Sequence, residues 1–225
     1  MLKDSRLVWD LPVRLFHWLL VLSLIGMYLT AQPGSTWMNW HFRLGYCVIG
    51  MLIFRLIWGL VGPRHARFIN FIKGPSSILQ YLKGGIVSVG HNPLGAGMVV
   101  LMLLLLIVQV CTGLVSTDDI AFTGPFNPSV SHDLGETLTG IHHKNFYVIL
   151  GAVVLHLCAI TYYTFVKKER LVPAMIHGRK AAEQVPAQQA ISGSQLWKAA
   201  IVIAIAAACV FWLLHAAPPP AAPEY

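Results

Sequence analysis

The run Leu101-Met102-Leu103-Leu104-Leu105-Leu106-Ile107-Val108 decides the fold. It shows no alternation of polar and apolar positions, and Ile201 to Ala208 reads the same way. Lipid admits only helices or closed barrels as spanning structures, and a barrel strand must alternate. Both runs are therefore spanning helices. Around them the chain is apolar throughout: 56% of its 225 residues are hydrophobic, 11% are charged, and the mean hydropathy is +0.64. At 1.5 Å per residue, about 20 apolar residues cross a hydrocarbon core of about 30 Å. The expected spans lie at about 13 to 31, 41 to 61, 95 to 116, 145 to 166 and 196 to 216. The fold class is all-α, an integral membrane four-helix bundle followed by a fifth, C-terminal transmembrane helix.

Charge places the two ends. The net charge of +7 could serve nucleic acid or anionic lipid, so its distribution has to decide. With the N-terminus inside, Lys3, Arg6, Arg14, Arg55, Arg64, Arg67, Lys73, Lys83, Lys167, Lys168, Arg170, Arg179, Lys180 and Lys198 gather on the inner side, leaving only Arg43 and Lys144 outside. This is the positive-inside pattern of a multi-pass membrane protein, and it leaves nucleic acid without support. The N-terminus is expected in the cytoplasm and the C-terminus in the periplasm. The outer segments carry Asp118, Asp119, Asp133, Glu136 and Glu224. Lys3 and Arg6 before an apolar stretch resemble a signal peptide, but no clear A-x-A site follows, so the first span reads as retained.

The connections differ in length. A short outer loop, Gln32 to Trp40, has Pro33 and Gly34 as breakers and makes the first two spans antiparallel neighbours. The inner loop from Gly62 to Pro93 contains Pro75-Ser76-Ser77, which opens a short surface helix through Lys83. The second outer loop, about Thr117 to Ile141, is punctuated by Pro125, Asn127, Pro128 and Gly135, and offers a docking surface. Glu183 to Ser194 reads as a polar linker, giving a core of 1–180, a linker of 181–195, a fifth span of 196–216 and a disordered tail of 217–225.

Ten histidines stand in this apolar chain, and an ionisable group within a span is costly unless it is used. His17 and His156 fall toward the inner ends of the first and fourth spans, and His41 and His142 toward the outer ends of the second and fourth. Fourteen residues separate His142 from His156, a rotation of about 1400°, some 40° short of four turns, and a rise of about 21 Å. Both rings thus face one side of the bundle, whereas His143 lies about 140° around the helix from His156. Depth pairs His17 with His156 and His41 with His142. Two stacked imidazole pairs suit two six-coordinate haems, and two layers do not suit one tetrahedral zinc. Packing histidines or a proton relay are the other uses of such residues. Gly45 and Gly151 leave room for a flat macrocycle. Arg43 and Lys144, each two residues after an outer ligand, and Arg14 and Arg55 on the inner side, are propionate candidates. His65, His91, His132, His143, His177 and His215 carry weaker signals. Cys47, Cys111, Cys158 and Cys209 fall one to a span with no C-x-x-C-H motif, so any haem is held non-covalently.

Several segments together resemble a known family. They are Val8-Trp9-Asp10-Leu11-Pro12-Val13-Arg14-Leu15-Phe16-His17-Trp18, His41-Phe42-Arg43-Leu44-Gly45, Phe54-Arg55-Leu56-Ile57-Trp58-Gly59, Gly62-Pro63-Arg64-His65-Ala66-Arg67-Phe68, Gly90-His91-Asn92-Pro93 and His142 through His156. Over about residues 7 to 180 the chain is similar to the bacterial cytochrome b561 and nickel-iron hydrogenase cytochrome b family. The resemblance implies two haems b, ligated by His17, His41, His142 and His156, and exchange of electrons with ubiquinone or menaquinone. The expected function is an electron relay between the quinone pool and a periplasmic redox protein, either a c-type cytochrome or a hydrogenase. A stand-alone oxidoreductase that takes electrons from superoxide and reduces ubiquinone is a second reading, and a histidine-based transporter or proton conductor a third. The fifth span lies beyond the four-helix form and could meet another membrane subunit.

Overall fold

The computed structural model describes residues 4–31, 36–84 and 88–219. Lys3, Pro33, Gly34, Glu224 and most of the expected tail lie outside the described residues. In chain order the elements are β1 (Ser5–Leu7), α1 (Leu11–Thr30), α2 (Met38–Val61), α3 (Phe68–Phe71), α4 (Pro75–Leu82) and α5 (Pro93–Gly113). They continue with α6 (His132–Phe165), α7 (Leu171–His177), β2 (Arg179–Ala181) and α8 (Leu196–His215). Five of these helices, α1, α2, α5, α6 and α8, are long and apolar enough to cross a membrane. The chain is a multi-pass helical membrane protein, and its apolar side chains such as Leu22, Leu29, Leu60 and Trp212 point outward where lipid replaces a water-facing polar shell. The basic end is the one carrying the N-terminus, and the acidic end is the opposite one.

Local chemistry sets the starts of the helices. Asp10 caps α1 by accepting from the Val13 amide at 3.0 Å, with Pro12 in the first turn. Asn92 caps α5 in the same way through the Gly95 amide at 2.7 Å, ahead of Pro93. One boundary differs from expectation. The loop expected over 117 to 141 ends at Ser131, whose hydroxyl caps α6, and the helix then runs 34 residues. The polar sequence His132-Asp133-Leu134-Gly135-Glu136 hides this start from a hydropathy window, although Asp133 in the first turn suits the positive end of the helix dipole. At 1.5 Å per residue α6 is about 51 Å long, so its first turns rise beyond the hydrocarbon. The short helix expected from Pro75 is α4.

Packing is uneven. α1 lies on α2, α5 on α6, and α2 also contacts α5 and α8. Among the described residues, neither α1 nor α2 packs backbone-close on α6. That gap is spanned by side chains, including a stacked Tyr28–Phe146 pair at 5.9 Å. The mid-bundle core is Val48, Leu52, Leu103, Leu106 and Ile149. On α8, Ala199, Val202 and Ala206 recur at helical spacing and are buried, a small-residue face that lets α2 approach closely.

The basic end is tied by a strap. β1 pairs antiparallel with β2 from Ser5↔Ala181 to Leu7↔Arg179, and the Val8 and Trp9 amides both donate to the Gly178 carbonyl. Gly178 ends α7 at φ +80°, and a Cβ there would stand 2.5 Å from the Trp9 carbonyl oxygen, so this position needs glycine on both counts. The stretch expected as a linker is folded against the strap. Val185 is fully buried, Arg6 donates to the carbonyls of Ala182 and Val185, the Ile191 amide donates to Leu7, and the Leu11 amide donates to the Ser194 hydroxyl.

Candidate functional site

The four span histidines fall into two layers on the gap between the α1–α2 pair and α6. At the acidic end, His41 of α2 and His142 of α6 have ring centroids 6.4 Å apart with planes at 76°. His41 Nδ1 is 3.1 Å from the Met27 carbonyl oxygen, and His142 Nδ1 is 2.9 Å from the Gln109 carbonyl oxygen. A carbonyl can only accept, so each Nδ1 carries the hydrogen and each Nε2 keeps its lone pair. This is how metal-binding histidines are usually oriented by their outer partners. Behind His142, Asn145 donates to the Leu105 carbonyl at 2.9 Å and to Gln109 Oε1 at 2.7 Å, and Thr112 Oγ1 stands 3.2 Å from His142 Nδ1. Gly113 presses on the same ring: a Cβ there would be 2.9 Å from His142 Cε1.

In the second layer, His17 of α1 has a buried Nδ1 without a hydrogen-bond partner, and its ring meets Trp18 edge-on at 5.0 Å. His156 of α6, half-buried, lies fourteen residues after His142 on the same helix. His143 faces away from this line and is exposed. The space beside both layers is open: a Cβ on Gly151 would meet nothing within 4 Å, and one on Gly45 would reach only Met27 Cε, at 3.9 Å.

The expected propionate cations differ in their surroundings. Arg43 is exposed at the acidic end and lies over Trp40 at 5.0 Å, and Lys144 is exposed beside His142. Arg14 donates to the Ile176 carbonyl at the end of α7, while its Nε is buried without a partner. Arg55 is 3% exposed, donates to the Ala66 carbonyl at 3.2 Å and stacks over Phe68 at 4.6 Å.

Sequence reasoning missed a polar knot at the basic end. Asp10 Oδ1 accepts from the Trp58 indole at 3.0 Å as well as from Val13, and His65 Nε2 reaches the Gln189 carbonyl at 2.8 Å. His91 sits against Trp9 at 4.6 Å and Phe71 at 4.5 Å, and Lys180 donates to the Val89 carbonyl at 2.8 Å. Burial pushes His91 down to about 3, helped by the positive charges of Arg55, His65 and Lys180. Burial also lowers His65 and Lys180, and raises Asp10 against its hydrogen bonds and the nearby Arg55. The signal was present: Trp9-Asp10, Arg55, Trp58, His65 and His91 all stand in the segments that carried the family resemblance.

The family model for prokaryotic cytochrome b561 matches residues 8–178. The chain belongs to the prokaryotic cytochrome b561 family. Among relatives of this cytochrome, a protein of Rhizobium leguminosarum bv. viciae named "Probable Ni/Fe-hydrogenase B-type cytochrome subunit" is 24% identical over 216 residues, covering 79% of this chain and 90% of that protein. One of the same name from Azotobacter vinelandii is 29% identical over 117 residues, covering 39% of this chain and 49% of the other. A cytochrome of this kind works in electron transport and carries haem b. The site suits that group. With metal–imidazole bonds of about 2 Å and a further 1.1 Å or about that to each ring centre, two rings on one iron stand about 6 Å apart. The His41–His142 separation of 6.4 Å agrees. Their lone pairs at Nε2, the open sides of Gly45 and Gly151, and the separation of α6 from α1 and α2 provide donors and space for a flat ring.

Proposed function

We propose that this cytochrome b561 holds two haems b, one between His17 and His156 and one between His41 and His142, and relays electrons across the bacterial inner membrane. The observation that carries this reading is the outer pair: two imidazoles at 6.4 Å, each oriented by a backbone carbonyl through Nδ1. The groups would supply one-electron redox chemistry. The chain's own residues supply the rest. Met27 and Gln109 fix the tautomers, Gln109, Asn145 and Thr112 hold His142 in place, and the helix rise separates the layers by about 21 Å. Arg43 and Lys144 are the propionate partners at the acidic end, and Arg14 and Arg55 those at the basic end.

The relay runs between ubiquinone or menaquinone and a redox protein on the periplasmic side, with the N-terminus in the cytoplasm. The hydrogenase named with both relatives makes a hydrogenase the first partner to try. A reduced-minus-oxidised spectrum of the purified protein, before and after a quinol analogue is added, tests the reading. A b-type α-band that rises with quinol is expected. Its absence would refute the relay and return the histidines to transport or packing.

A further inference from the structure

From Leu114 to Ile141 the chain carries four carboxylates, Asp118, Asp119, Asp133 and Glu136, and no lysine or arginine. The segment is built, not loose. Asp118 Oδ1 accepts from the amides of Ile120, Ala121 and Phe122 at 3.1, 2.9 and 2.8 Å, and a bridge joins Thr117 to Thr123. Asn127 donates to the Val115 carbonyl at 2.8 Å, and Gly124 lies so close to Leu114 that a Cβ would be 2.5 Å from its carbonyl oxygen. At the tip Ile120 is 93% exposed, the extreme among large apolar side chains of the described residues. Asp119 beside it and Asp133 and Glu136 on the first turns of α6 are at least half exposed, with His132 between them.

The loop is anchored on both helices of the outer histidine pair. The Thr117 amide donates to Thr139 of α6, three residues before His142, and Phe122 meets Phe42, the neighbour of His41, at 6.3 Å. A rigid apolar knob inside an acidic rim, fixed over a redox pair, has the anatomy of a small contact site with a desolvated centre and charged surround. We infer that this loop docks a soluble redox protein whose contact face is basic around an apolar hollow. Asp119, Asp133 and Glu136 steer that protein, Ile120 seats in it, and Asp118 is the internal brace.

The inference rests on the relay reading, so the test reads binding separately from electron transfer. Full-length, haem-loaded protein in zwitterionic nanodiscs is immobilised, and a basic c-type cytochrome is passed over it at rising salt. Binding should weaken at least tenfold between low and moderate salt. The triple variant Asp119→Asn, Asp133→Asn, Glu136→Gln should lose most of that salt dependence. Ile120→Ser should weaken binding severalfold while leaving the salt slope unchanged. All variants should keep the wild-type haem spectrum, which shows that the loop is altered without unfolding the bundle. Binding that ignores salt, or a triple or Ile120→Ser variant that binds like wild type, overturns the docking inference. A protein that binds the probe and lacks a haem spectrum overturns the relay instead.

Discussion

His142 on α6 is oriented from α5, where the Gln109 carbonyl and the Thr112 hydroxyl both meet its Nδ1. Its place on α6, fourteen residues before His156, is visible in the sequence because helix phase and depth are simple arithmetic. The groups that tune it are not visible: Gln109, Thr112 and Asn145 look like isolated polar residues until α5 and α6 are brought together. Gly113 belongs to the same surroundings. Its close approach predicts that Gly113→Ala pushes the His142 ring and changes the outer haem alone. On the proposed two-haem reading, a redox titration should show the outer midpoint moved and the inner one unchanged. An unchanged titration would mean that the ring tolerates the methyl group. For the basic-end cations only positions are legible in the sequence, since folding alone shows that Arg14 meets Ile176 and Arg55 meets Ala66.

At the scale of elements, the five spans were readable because each is a long apolar run, and a bilayer demands little else. What escaped was structure built from polar residues. The start of α6 at His132 depends on Ser131 as cap, and the basic-end strap depends on pairings between residues more than 170 positions apart. No local pattern announces those contacts. Asp10 joins the two levels, capping α1 while holding the Trp58 indole. Asp10→Ala removes the cap and strands a buried donor, a loss of roughly 2 kcal/mol or more. Asp10→Asn keeps the acceptor and should cost much less. Thermal unfolding in one detergent, compared among the three proteins, checks this order. Equal midpoints for Ala and Asn would show that the carboxylate's charge, not its hydrogen bonds, is what α1 needs.

Over the whole molecule, the sorting of charge and the packing of helices around an open seam belong together. Cations and the strap close the basic end, carboxylates top the acidic end, and the histidine layers lie between them. The basic-end knot makes stability depend on pH. His91 is held near 3 in the folded protein against 6.5 when free. Above the free value the ring is neutral in both states and adds no pH dependence. As pH falls from 6.5 toward 3, the unfolded chain takes up a proton that the folded one refuses, so stability is lost across that window. His65, also lowered, acts in the same direction. The melting midpoint should therefore be lower at pH 5 than at pH 7.5, and His91→Phe should narrow the difference. A variant with the wild-type difference would remove His91 from this account.

The haem-to-protein ratio tests most directly whether the two histidine pairs each hold a haem. Pyridine haemochrome assay of the purified chain should give two haems b per polypeptide. The single variants His17→Ala and His142→Ala should each give about one, with the remaining haem still reducible. One haem in the wild type, or two in either variant, would contradict the pairing.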